Sequence, residues 1–228
     1  MDARVSAAGR GRLTGWTRDP LADVTASALV VTLALTVCCS VELPRDAVIN
    51  GVSWFGVTRA TLAPYAAGQL GAAWLLARAA TALASTGVTG VRGDTLETTS
   101  GTGATGATTG LRALQVLRVT LRTCAVLMVV LLLTPYTVDT WFNWTHMTVG
   151  AALFLVQLLF AAWFWRGHPG ALTGALLAVQ FAAGVVALVS LPGVVDLLLY
   201  GQLAYQVAFA VLLVHAVRTL APPASDDS

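Results

Sequence analysis

The chain contains no lysine; all thirteen of its basic residues are arginine. With plentiful Ala, Val, Leu, Gly and Thr, that bias fits a GC-rich genome and reads as bacterial. Charge of either sign is scarce, at 11% of 228 residues against roughly 25% in ordinary soluble domains. A net charge of +2 from scattered arginines is too small to suggest nucleic-acid binding, and no nucleic-acid partner is expected. Cysteine is rare as well. Cys38, Cys39 and Cys124 all fall in apolar runs, with no Cys-x-x-Cys or Cys/His zinc spacing, so they read as small packing groups. The three histidines, His146, His168 and His215, have no partner histidine at helical spacing, and the last two belong at the opposite face from the first. Neither a three-histidine metal site nor a bis-histidine haem fits that arrangement, and no metal or cofactor is expected.

What is abundant is apolar. Hydrophobic residues make up 57% of the chain and its mean hydropathy is +0.76. A small water-soluble globule has too little interior to bury that much, so the bilayer must serve as solvent. About 20 mostly apolar residues cross the roughly 30 Å hydrocarbon core. Six such segments are present, near 22–43, 62–85, 115–135, 147–166, 171–191 and 196–219. The expected fold is an all-α polytopic bundle of six helices. A segment 1–21 precedes the membrane domain 22–219, and a polar, disordered tail 220–228 follows it. Arg4, Arg10, Arg12 and Arg18 resemble a signal-peptide n-region, but the apolar run after them is long and lacks a clear cleavage site, so it reads as a retained first span.

Arginine placement sets the orientation. With the N-terminus in the cytoplasm, eleven arginines lie inside and only Arg45 and Arg59 outside, which places both termini in the cytoplasm. The segment 86–110 is Gly/Thr-rich, with almost nothing to bury, and reads as a flexible cytoplasmic linker. Its glycines are not a phosphate loop, because no Gly-Lys-Ser/Thr follows and no strand precedes them.

Most polar residues then fall near the outer surface. Glu42 closes the first span; Arg45, Asp46, Asn50, Trp54 and Arg59 lie in the first outer loop. Tyr136, Asp139, Asn143, Trp144 and His146 crowd the second, and Asp196 and Tyr200 open the last span. Anchoring and capping account for much of this, since Trp and Tyr form interfacial belts and Asn143 or Thr145 is placed to cap the fourth span. The catalytic alternative is an outward cleft in which Glu42, Asp139 or Asp196 holds His146 as an acid/base pair. Candidate ligand contacts are Asn50, Trp54, Tyr136 and Trp144 at the rim.

Deeper, Gln157, Gln180 and Gln206 each lie about ten residues from a span end, which at about 1.5 Å per residue brings all three to the membrane centre. Gln202 precedes Gln206 by four residues on the same face. Amides facing lipid tails lack partners, so these four are expected to face one another, as packing glue or as the floor of a cavity. No charged residue lies at that depth, which counts against ion-coupled transport. In the second span, Ala67, Gly68, Gly71 and Ala72 let helix backbones approach, preferentially within one chain, and Pro64 falls in its first turn. Arg118 and Arg122 share a face at the inner end of the third span, either snorkelling or holding an anionic lipid headgroup.

Two stretches, INGVSWFGVTRATLAPYAAGQLGAAWLLARAATAL and TPYTVDTWFNWTHMTVGAALFLVQLL, carry a family likeness. Asn50, Ser53 and Gly56 form Asn-x-x-Ser-x-x-Gly ahead of a span, and His146 opens the fourth helix. In this the chain resembles the Frag1/DRAM/Sfk1 and DUF998 type of small membrane protein, over about half its length. The long Gly/Thr loop and the arginine-only basic set depart from that pattern. The resemblance implies fold and membrane location, and no chemistry. The expected role is a non-enzymatic lipid- or protein-interacting bundle of a bacterial cytoplasmic membrane with an outward polar cleft, its partners membrane lipids or another membrane protein. The rivals are an intramembrane enzyme acting on lipid at the outer leaflet and, behind it, a small-solute transporter.

Overall fold

The computed structural model describes residues 19–41, 45–93, 103–191 and 195–221. They form the helices α1 (Pro20–Val41), α2 (Arg45–Asn50), α3 (Arg59–Gly93), α4 (Gly103–Leu133), α5 (Thr140–Gly167), α6 (Ala171–Ser190) and α7 (Leu198–Leu220), with a 3-10 turn at Val52–Gly56. No strand occurs among the described residues. Hydrocarbon offers no partner to a peptide N–H or C=O, so apolar runs of this kind close their hydrogen bonds internally as helices. Five helices are long and apolar enough to cross a bilayer: α1, α4 over Gly110–Leu133, α5, α6 and α7. The protein is a multi-pass membrane protein. α5 carries its own ruler, with exposed Trp144 near one end and Trp165 near the other. Their separation of 21 positions spans about 32 Å of helix, the distance between two interfacial belts.

α3 is the longest helix, at 35 residues, yet Pro64, Gln69 and Arg78 dilute its apolar character. Packing compensates. Ala72, Ala73, Leu76, Ala79, Ala80 and Leu83 are all buried, and α3 lies against both α1 and α4. Neighbours in the chain continue this way around a closed circuit: α4 on α5, α5 on α6, α6 on α7 and α7 back on α1. α7 also reaches across to α4 and α5.

The small-residue stripe of α3 is an intramolecular seam. A Cβ on Gly68 would collide with the Ala34 side chain of α1, and one on Gly71 would lie 3.3 Å from Val30. Ser27 donates to the Ala72 carbonyl at 3.2 Å. At the end of the seam Arg78 donates from Nε to Asp23 at 2.9 Å and from Nη2 as well, and its guanidinium lies 4.6 Å from the centroid of the Trp74 ring. Asp23 is only 2% exposed, so this pairing fixes which ends of α1 and α3 share a depth. A large core that includes Leu83, Leu117, Leu121, Phe160, Phe164 and Leu212 fills the Asp23 end. A smaller one of Leu35, Cys38, Ala47, Phe55, Tyr65 and Leu199 closes the opposite end.

Several boundaries differ from the sequence expectation. α5 begins at Thr140 rather than near 147, because extended Asp139 is its N-cap, accepting from the Phe142 N–H at 2.8 Å. The capping role expected of Asn143 or Thr145 belongs to Asp139. α3 begins at Arg59, which moves Pro64 out of the first turn. The segment 86–110 is helical at both ends, since α3 runs on to Gly93 and α4 starts at Gly103. Once an apolar stretch has nucleated a helix, extension costs little per residue. Residues 94–102 lie outside the described part, as do 1–18, Glu42 and the tail from 222. Cys38, Cys39 and Cys124 are free thiols, the first and last buried.

Two glycines separate close packing from simple flexibility. Gly68→Leu should overpack the α1–α3 seam and cost about 1–3 kcal/mol. At Gly110, on the exposed side of α4 with nothing within 4 Å, Gly110→Ala should be neutral or stabilise by up to about 1 kcal/mol. Thermal unfolding in detergent distinguishes the two, and equal effects would refute the seam.

Candidate functional site

Between α1 and α3 the chain folds into a small cap. Gly51 takes φ +74°, a left-handed conformation that favours glycine. The Gln202 side chain of α7 occupies the space a Cβ would need there, and its Oε1 accepts from the Val52 N–H at 2.8 Å. Fully buried Phe55 anchors the 3-10 turn from below, its carbonyl accepting from the Thr61 hydroxyl at 3.0 Å. The turn is thereby held with Ser53 facing α5.

Opposite stands His146, buried at 9% exposure. The Ser53 Oγ lies 2.7 Å from its Nε2, and the Thr134 carbonyl lies 2.7 Å from its Nδ1. A carbonyl oxygen can only accept, so Nδ1 carries a proton and donates to it. In the neutral imidazole that leaves the Nε2 lone pair for the Ser53 hydroxyl, which donates to it. A hydroxyl, an imidazole with its acceptor nitrogen turned toward that hydroxyl, and a group that fixes the ring are joined in one line. Tyr136 completes the surroundings, its ring centroid 5.6 Å from that of His146 and its buried hydroxyl without a partner among the described residues. Burial, and behind it the Asp46 charge, push the Tyr136 phenol above its ordinary range, so it remains a protonated donor.

Ser53, Tyr136 and His146 lie on the rim of a half-open cavity of about 1060 Å³ lined by residues of α1 and of α3 to α7. On α1 its wall runs from Val24 to Ser40, sixteen residues or about 24 Å of helix. Val31, Leu35, Met128, Phe154, Phe181 and Leu188 make it chiefly apolar along that length. Among the described residues no Asp, Glu, Lys or Arg lines it. Its polar contribution is amide and hydroxyl: Asn50, Asn143 and Gln202 toward the rim, Gln69, Gln157, Gln180 and Gln206 deeper. Gln157 Nε2 donates to Gln206 Oε1 at 3.3 Å, so these two meet as their depths foretell. Gln180 is fully buried with both amide atoms unpaired among the described residues, as is Gln157 Oε1. Gln202 has turned to the cap instead. Tyr205 crosses from α7 to α5, donating to the Phe154 carbonyl at 2.6 Å.

The other sequence candidates are elsewhere. Asp139 caps α5, and Asp196 forms an exposed pair with Arg45 at 3.3 Å. Neither carboxylate is the partner of His146; the third, Glu42, lies outside the described residues. Trp144 is 67% exposed and Trp54 packs beside the smaller core, and neither lines the cavity. Arg118 and Arg122 are on α4 away from the rim, Arg122 exposed and Arg118 half-buried with Nε unpaired. Among the described residues no cluster of His, Cys, Asp or Glu is arranged to hold a metal ion. Ser53 entered the sequence reading only as part of a family pattern, and Thr134 not at all. No protein-family model, no curated protein and no solved structure matches the chain.

The capping role of Asp139 is separable from a chemical one. Asp139→Ala should lower stability by about 0.5–2 kcal/mol, while Asp139→Asn, an equally good cap, should leave the unfolding temperature unchanged. A loss with Asn as large as with Ala would show that the charge, and not the cap, is what matters.

Proposed function

We propose that the protein is a six-span bundle of a bacterial cytoplasmic membrane, with both termini in the cytoplasm, that holds an uncharged lipid or the uncharged part of one in its central cavity. α3 supplies the sixth span. Its pairing with α1 through Asp23 and Arg78 gives it the length and depth of its neighbours. The arginine bias then makes the His146 end extracytoplasmic.

The observation that carries the reading is a mainly apolar wall, without a charged side chain among the described residues, interrupted by a fully buried Gln180 amide that has no partner among them. An unpaired buried amide costs roughly 1–3 kcal/mol, which a ligand carbonyl or hydroxyl recovers. The wall is longer than the roughly 15 Å that half of a hydrocarbon core allots to one acyl chain, leaving room for polar linkage groups at the rim. Ion-coupled transport has no charged group to work with at that depth among the described residues. The likeness to the Frag1/DRAM/Sfk1 and DUF998 type, carried by Asn50, Ser53, Gly56 and His146, belongs to this proposal, as does an anionic headgroup held by Arg118 and Arg122 at the cytoplasmic leaflet.

Native mass spectrometry of protein released from mild detergent should show a discrete bound lipid. Gln180→Leu should weaken its retention roughly 2- to 10-fold, the worth of one net hydrogen bond. Ala151→Trp, which fills the cavity from α5, should abolish it. A folded wild-type protein that carries no lipid would overturn the proposal.

A further inference from the structure

The same rim holds the parts of a covalent catalyst. We infer that Ser53 and His146 are a nucleophile and general base that hydrolyse a carboxylic ester of a lipid seated in the cavity, an inference that rests on the lipid-holding reading above. A nucleophilic serine needs a base within about 2.6–3.2 Å, in the right tautomer, with its ring held by a third group. Ser53 Oγ is 2.7 Å from Nε2, and the Thr134 carbonyl, 2.7 Å from Nδ1, imposes the required tautomer. Both side chains line the cavity. A hydrogen bond serving only to pin the 3-10 turn to α5 would not need to open onto the chamber that accepts the ligand.

The wall selects the substrate class. With no charged side chain among the described residues it offers nothing to a phosphate or ammonium group, whereas an acyl chain suits its aliphatic length and a neutral ester suits its amides. In the reaction Ser53 Oγ bonds to the ester carbonyl carbon while its proton passes to His146 Nε2. Collapse of the tetrahedral intermediate breaks the bond to the alcohol oxygen, which takes that proton and leaves. Water from the extracytoplasmic side then adds to the acyl-serine, giving a proton to Nε2. The Ser53 oxygen departs with it, so that ester and water become acid and alcohol. The Tyr136 hydroxyl, unpaired among the described residues and on a ring 5.6 Å from that of His146, is a candidate donor to the charge on the carbonyl oxygen.

The test uses the full-length protein in mild detergent and an alkyl fluorophosphonate, which phosphonylates activated serines, with intact-mass and peptide-mass readout alongside native mass spectrometry for bound lipid. Wild type should gain one adduct, mapped to Ser53. His146→Gln, which keeps a hydrogen-bonding side chain, should label at least about 100-fold more slowly, the usual contribution of a general base. Ser53→Ala should not label yet still carry lipid. Absence of a Ser53 adduct on wild type that retains its lipid would overturn the catalytic inference and leave lipid holding intact, as would equally fast labelling of His146→Gln. Wild type that neither labels nor carries lipid would overturn both.

Discussion

Hydrocarbon supplies no hydrogen bonds, and the placement of nearly every polar side chain in this protein answers to that fact. Most hydroxyls satisfy it locally. Thr32, Thr36, Ser40, Thr81, Thr145 and Ser190 each donate to a carbonyl four residues earlier in their own helix, so they behave toward lipid almost as apolar groups. Others satisfy it between helices, as Ser27 does with Ala72 and Tyr205 with Phe154, and these bonds fix neighbours in the circuit. The Asp23–Arg78 pair is the costliest instance. It is held by several charge-assisted bonds and by the Trp74 ring beside the guanidinium, which offset the cost of desolvating so buried a carboxylate. Against this background the unpaired groups acquire meaning. Among the described residues the Tyr136 hydroxyl, Gln157 Oε1 and both amide atoms of Gln180 are buried without a partner, and all three residues line one cavity.

The same constraint explains what the sequence could and could not reveal. The five most apolar helices were legible because their length and composition are dictated by bilayer thickness alone. The meeting of Gln157 with Gln206 was legible too, since depth follows from counting residues along a helix. The start of α5 was not. Trp141, Asn143 and Trp144 read as loop residues by polarity, whereas the cap at Asp139, a single hydrogen bond, draws them into the helix. The Asn50 to Gly56 region likewise lacks any periodic signal, because its 3-10 turn is specified from outside by Gln202 and by the buried Phe55.

Charge misdirected the search for the site. Asp139 and Asp196 are conspicuous in so apolar a sequence, and a histidine near them invites a carboxylate partner. At a membrane surface, however, carboxylates are well served by water, exposed arginines and helix N-termini, and that is where these two went. The histidine went the other way, into a low-dielectric pocket where a neutral hydroxyl and a neutral carbonyl are the cheaper partners. Ser53 is 93 residues away in sequence and ordinary in type, so only tertiary structure could join it to His146.

That neutrality also bears on what the pair can do. In a serine–histidine–aspartate triad the carboxylate both selects the tautomer and stabilises the imidazolium, and a wrong tautomer costs about 10⁴ in rate. A backbone carbonyl performs the first task fully and the second only in part, since it brings a dipole rather than a charge. A Ser53–His146 dyad oriented by Thr134 is therefore expected to be correctly poised but slow, and to depend heavily on binding energy from the acyl chain to hold the ester in place. The architecture favours that trade. A long apolar chamber ending at the rim supplies chain binding in abundance, while a wall without charge among the described residues avoids the desolvation cost that a buried aspartate would impose.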